Sequence, residues 1–103
     1  MEWLTLNRIK EQCRIEPDFH DEDELLLFYG ESVEQQVLID TGRTVAELKA
    51  MGDGEHVPTN IVHASLLLID SAYKQRSAID TMSWSVVPYA YEHKIKPYIK
   101  LAD

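Results

Sequence analysis

Cysteine is almost missing from the chain: Cys13 stands alone, so an internal disulfide cannot form. Apolar runs such as Leu66 to Ile69 fall far short of the roughly 20 residues a membrane span needs. The opening Met1-Glu2-Trp3 is followed by neither a basic stretch nor an apolar one, so no secretory signal is visible. There is no glycine-rich phosphate loop and no glycine-flanked serine, and nothing around Cys13 would activate its thiol. These gaps argue against an enzyme, a cofactor and a membrane protein, and they lead us to expect a soluble, intracellular chain.

Basic residues are scarce in the first forty positions, which hold three bases and eleven acids. Residues 41–103 hold seven of each, so the whole net charge of −8 arises at the front. A surface of that sign repels DNA phosphates, whereas a helix-turn-helix regulator needs a basic recognition face. At 103 residues with 45% hydrophobic content, one domain is expected, able to bury about 60–70% of its unfolded surface.

What is present is helical periodicity. Thr5 can cap a first helix in which Leu6, Ile9 and Cys13 share a face, with Pro17 as its stop. Asp21 followed by Glu24 resembles a capping box for a long second helix running to about Thr41, where Gly42 suits a left-handed stop. Thr44 and Glu47 form a capping box for a short third helix, Val45 to about Met51. Gly52-Asp53-Gly54 should end it with positive-φ positions. Pro58 opens a fourth helix reaching about Arg76. A loop is expected over Ser77–Ser85, with Met82–Val87 the place where a short strand could hide. Pro88 starts a last helix that Pro97 bends or ends. The fold class is therefore all-α, one five-helix domain.

In the fourth helix, Ile61, Val62, Ala64, Leu66, Leu68, Ile69, Ala72 and Tyr73 fill an arc of about 200°, wide enough to touch several neighbours. That makes it the central, mostly buried helix, with Leu67 left among His63, Asp70 and Lys74. The second helix has a similar surplus. Leu26, Tyr29, Val33 and Val37 make one core stripe. Leu27 and Leu38 lie on another side with Glu31 and Glu34, and Phe28 and Ile39 flank Ser32 and Gln35. Either neighbouring helices cover these four residues or another subunit does, and Gly30 permits a close helix approach or is a tolerated defect. Near the C-terminus, Tyr89, Tyr91 and Tyr98 stand among Lys94, Lys96 and Lys100, either completing the core or forming an interface.

Polar clusters offer little chemistry. His20-Asp21-Glu22-Asp23-Glu24 matches no calcium loop and reads as a solvated helix start. Asp53, Glu55 and His56 read as a solvated turn, and His63 and His93 have no partner at metal-ligand spacing.

Taken in order, Leu4-Thr5-Leu6, Thr41-Gly42-Arg43, Val57-Pro58, then Tyr73, Arg76 and Ala78, then Val87-Pro88-Tyr89 and Lys96-Pro97-Tyr98, make a pattern. It resembles the small head–tail connector (head-completion) proteins of long-tailed phages and prophages. Ala90, where many relatives have glycine, and Ile99, between Tyr98 and Lys100, depart from it. The resemblance implies a structural subunit that forms a ring with copies of itself below the portal protein, meets a tail-side adaptor, and extends the channel for double-stranded DNA. It also implies assembly in the bacterial cytoplasm and residence at the virion head–tail junction. On this reading Leu27, Phe28, Leu38, Ile39, Leu67, Tyr89, Tyr91 and Tyr98 are interface candidates, and Asp21, Glu22 and Asp23 face the channel. A small helical adaptor that binds a single protein partner without forming a ring is the alternative.

Overall fold

Thr5 is extended and its hydroxyl accepts the Arg8 N–H at 3.1 Å, which starts α1 (Leu6–Cys13). The computed structural model describes residues 1–75 and 89–100, without the side chains of residues 75 and 89. The stop of α1 is Arg14, not Pro17. Arg14 takes a left-handed conformation at φ 59°, and the Ile15 N–H reaches back to the Lys10 carbonyl at 2.8 Å. Ile9 is fully buried beneath α1, and Cys13 lies beside it with its thiol pushed up to about 11 by burial and then by the charge of Asp70.

The elbow after α1 is set by Lys10, whose side chain is 2% exposed. Its ammonium donates to the carbonyls of Phe19 (2.7 Å) and Pro17 (3.2 Å) and pairs with Asp23 at 2.8 Å. A buried cation is tolerated only with this degree of compensation. Asp23 is the first residue of α2 (Asp23–Thr41), and the side chain of its cap, Glu22, makes no capping bond to the helix N-terminus. The expected Asp21–Glu24 capping box does not form: the cap falls one residue later, at Glu22, and Glu22 and Asp23 make tertiary contacts. Asp23 Oδ2 also meets His20 Nδ1 at 2.9 Å, and the hydrogen bonds from Lys10 and then His20 hold its carboxyl below the usual range.

Gly42 ends α2 at φ 68°, as its position predicts. Thr44 and Glu47 close a complete capping box on α3 (Val45–Met51). The turn after α3 differs from expectation at Gly52, whose φ is −94°; only Gly54, at φ 95°, is left-handed. Gly52 is required for space, since a Cβ there would collide with the His56 carbonyl. Asp53 accepts the N–H groups of His56 (2.7 Å) and Glu55 (2.9 Å), which lower its carboxyl to about 2.

Helix α4 (Thr59–Gln75) follows Pro58, whose carbonyl accepts the Ile61 N–H at 2.9 Å. It packs on α1, α2 and α5 (Tyr89–Ile95), with Ile61, Ala64, Leu68, Ile69 and Ala72 buried. It is the central helix its apolar arc announces. After α5 the chain tightens into a 3-10 turn, Lys96–Tyr98, at Pro97. The five α-helices, with no strand among the described residues, make the protein all-α. Arg76, Ala78, the expected loop over Ser77–Ser85, the possible strand at Met82–Val87 and Pro88 lie outside the described residues.

Two buried polar groups fasten the N-terminal segment. Glu34, 5% exposed, accepts three backbone N–H groups, from Glu2 (2.6 Å), Leu4 (2.8 Å) and Trp3 (2.9 Å). Ser65, fully buried on α4, accepts the Trp3 indole N–H at 2.9 Å and donates to the Ile61 carbonyl. Gly30 answers the same need. The Met1 thioether lies where a Cβ would be, and Ile9 Cδ1 would stand 3.1 Å away. The close approach it permits is that of two side-chain ends, from Met1 and Ile9.

Removing the Glu34 carboxylate strands three N–H donors, two of them on half-buried or buried residues. Glu34→Ala is therefore expected to cost about 2–4 kcal/mol of unfolding free energy, and Glu34→Gln, which keeps one acceptor oxygen, roughly half as much. Urea unfolding followed by circular dichroism measures both; a loss below about 0.5 kcal/mol for Glu34→Ala would contradict the clamp.

Candidate interaction surface

The helix that buries Leu26, Val33 and Val37 against the core leaves large apolar groups on its outer side. Ile39 is 72% exposed, Phe28 66% and Leu27 39%. Phe28 and Ile39 are eleven residues apart, which at helical geometry places them about 16 Å apart along α2 and only about 20° apart around it. They form one ridge. Glu24, Glu31 and Gln35 are exposed along it, and the Phe28 ring leans on Tyr29 with centroids 6.4 Å apart. The sequence shows the apolar surplus of α2, and the structure shows that Phe28 and Ile39 are the part of it that the neighbouring helices leave exposed.

The other interface candidates divide. Leu38 is half-buried against the core, as is Tyr98, and Leu67 is partly exposed on α4. The side chain of Tyr89 lies outside the described residues. Tyr91 needs correction: it is 1% exposed, inside the protomer. Its hydroxyl donates to Asp40 Oδ2 at 2.6 Å, and burial followed by that hydrogen bond pushes the phenol far above its ordinary value. Asp40 Oδ1 accepts from Gln36 at 2.8 Å, so this carboxylate latches α5 onto α2. In sequence Tyr91 is indistinguishable from its neighbouring tyrosines. Asp40 and Glu34 look like ordinary surface acids, and only their partners, some 30 to 50 residues away in sequence, give them a role.

The elbow acids divide too. Asp21 is exposed, as are Asp18 and Glu24, and these three make no side-chain hydrogen bond or ion pair among the described residues. Glu22 instead accepts the Tyr73 hydroxyl at 2.8 Å, and Asp23 serves Lys10 and His20. Both carry fold contacts, which limits how far they can serve a channel wall. Among the described residues no three His, Cys, Asp or Glu side chains come together as a metal site, and no helix is long and apolar enough to cross a membrane.

At the far end of α2 the C-terminal stretch is stitched down. Lys100 N donates to the Thr41 carbonyl at 2.7 Å, and Arg43 Nε donates to the Tyr98 carbonyl at 2.6 Å. Lys96 and Lys100 are exposed there. Beside them an open groove runs between α2, α4 and α5. Leu68, Tyr91 and Ile95 are its buried lining, Asp40 is half-buried in it, and Gln36, Glu92, Lys96 and Ile99 are its exposed lining. The molecule thus carries an exposed apolar ridge along α2 and, beside the last turn of that helix, a groove of mixed apolar and charged lining.

Searches among curated proteins and among solved structures give no match. The model of one protein family does match, over residues 4–98, which takes in the elbow, Glu34, the ridge and all of the groove lining but Ile99. That family is a structural one, described as phage gp6-like head–tail connector proteins. With so much of the sequence matched, the chain belongs to the phage gp6-like head–tail connector family.

Proposed function

We propose that the chain is the repeating subunit of a ring at the junction of capsid and tail in a phage or prophage. The ring sits between the portal protein and a tail-side adaptor and carries the DNA channel onward. The observation that supports this reading is the α2 ridge. Phe28 and Ile39 are largely exposed among the described residues, and leaving such side chains in water forgoes up to about 1.5–3 kcal/mol each. A repeated contact between different faces, closed by rotation, covers such a ridge in every copy.

In this reading the exposed elbow acids Asp18 and Asp21 line the passage. Carboxylates offer no partner to phosphates, so DNA slides past without being held. Reversing these two to lysine leaves the contacts of Glu22 and Asp23 intact. The charge-reversed variant should still assemble but should slow DNA release from particles, most of all at low salt. Unchanged release at low salt would contradict the channel placement.

The ring itself is tested by sedimentation of the chain, alone and with the portal protein of the same phage. Wild type should form a closed multimer. Phe28→Glu with Ile39→Glu should weaken assembly by at least roughly 100-fold, from two lost burials of about 1.5 kcal/mol each. Helix content should be unchanged, because neither side chain is in the core. A wild-type chain that stays monomeric on the portal would overturn the ring, and a double variant that assembles normally would overturn this interface.

A further inference from the structure

The outer face of α2 is self-complementary. Around the helix, Ile39 lies about 20° to one side of Phe28, and Gln35, Glu24 and Glu31 lie about 20°, 40° and 60° to the other. Leu27 and Leu38 follow on that second flank, about 20° from each other. The face thus has an apolar pair at each end, Leu27–Phe28 and Leu38–Ile39, with Glu31, Ser32 and Gln35 between them. A two-fold contact uses this pattern, because it sets residue i on j and j on i. With the helices antiparallel and the axis beside residues 33 and 34, Phe28 comes level with Ile39 of the second copy. Leu27 comes within about 3 Å of level with Leu38 on the shared flank. Glu31 meets the Gln35 amide, and the two copies of Glu31 are staggered by about 7.5 Å along the axes.

The charges agree with this register. Glu24, exposed and without a side-chain partner among the described residues, comes level with Gly42 and Arg43 of the second copy. Gly42 is on the same side of the helix as Glu24. Lys100 lies over Gly42, its Cβ 3.7 Å from where a Gly42 Cβ would stand, and it is exposed. The corner holds Arg43 and Lys100 against Glu47. Arg43 lies 3.8 Å from Glu47, and the Thr44 N–H, then the charges of Lys100 and Arg43, hold the Glu47 carboxyl below its usual range. Cations are in excess there, and Glu24 of the second copy supplies the matching carboxylate. Asp40 is about 120° around from Phe28, on the groove side with Glu92, outside this contact.

We infer that two copies of the free chain pair through α2, antiparallel about a two-fold axis, with Phe28 against Ile39 and Glu24 against Lys100. One helix from each copy makes a small interface, so the pair is weak, half formed at roughly 10–100 µM and open below about 1 µM. The pairing does not depend on the ring reading. It occupies the same ridge, so chains enter a ring only after their pair has opened. Sedimentation of the free chain, without portal protein, should pass from monomer to dimer between about 1 and 200 µM. Phe28→Cys and Ile39→Cys should each give no dimer with a short bismaleimide, and their mixture should. Cys13 is buried and does not compete. A chain with both substitutions should stop at a dimer, whereas a head-to-tail contact would give a ladder of longer products. Glu24→Lys should weaken the dimer about tenfold, and Lys100→Glu in the same chain should restore it. A chain monomeric at about 200 µM, a ladder, or Phe28→Cys linking to itself would overturn the pairing and leave the ring standing. A dimer that persists on the portal in place of a ring would overturn the ring and leave the pairing standing.

Discussion

A helix with large apolar side chains on more than one side needs neighbours on more than one side, and α2 has too few within its own protomer. Leu26, Val33 and Val37 are sealed by α1 and α4, while Phe28 and Ile39 are left in water. Three of the five carboxylates of the same helix turn the other way. Asp23, Glu34 and Asp40 point to partners within the chain and hold the elbow, the N-terminal segment and α5 respectively. These three polar groups are spent on the fold, while Phe28 and Ile39 are presented outside it. That inversion makes α2 both the anchor of the protomer and its candidate contact surface.

The energetic logic of the inward carboxylates is mutual satisfaction. Glu34 without the three N–H groups of residues 2–4 would be an uncompensated buried charge, and those N–H groups without Glu34 would be stranded donors. Lys10 with the Pro17 and Phe19 carbonyls and Asp23 follows the same rule at the elbow. Arrangements of this kind break together when one member is removed, which makes the ends of α2 rigid relative to α1 and α5. A rigid protomer suits the proposed ring, because a ring closes only if every copy repeats the same rotation.

Much of this is legible in the sequence wherever the cause is local. The Thr5 cap, the Thr44–Glu47 box and the Gly42 stop are read within four residues, and the wide apolar arc of α4 announces its central place. The surplus on α2 is legible for the same reason. Local reading fails where a distant partner decides. Asp21 and Glu24 look like a capping box, but Lys10 and Tyr73 draw Asp23 and Glu22 into other work. Arg14 ends α1 ahead of Pro17 by a left-handed turn that no sequence rule favours at an arginine. Tyr91 resembles an interface tyrosine until Asp40 is seen across from it. The groove beside Ile99 depends on three helices meeting and has no sequence signal of its own.

Membership of the connector family and the exposed ridge are independent observations with the same implication. The family speaks of a structure built from protein contacts, and the ridge is a surface that a protein contact would cover. The most direct measurement is hydroxyl-radical footprinting of side chains, comparing the free chain with the chain assembled on its portal. Phe28 and Ile39 should be oxidised readily when free and strongly protected when assembled, while Met51 on α3 should change little. Equal oxidation of Phe28 and Ile39 in the two states would contradict the account.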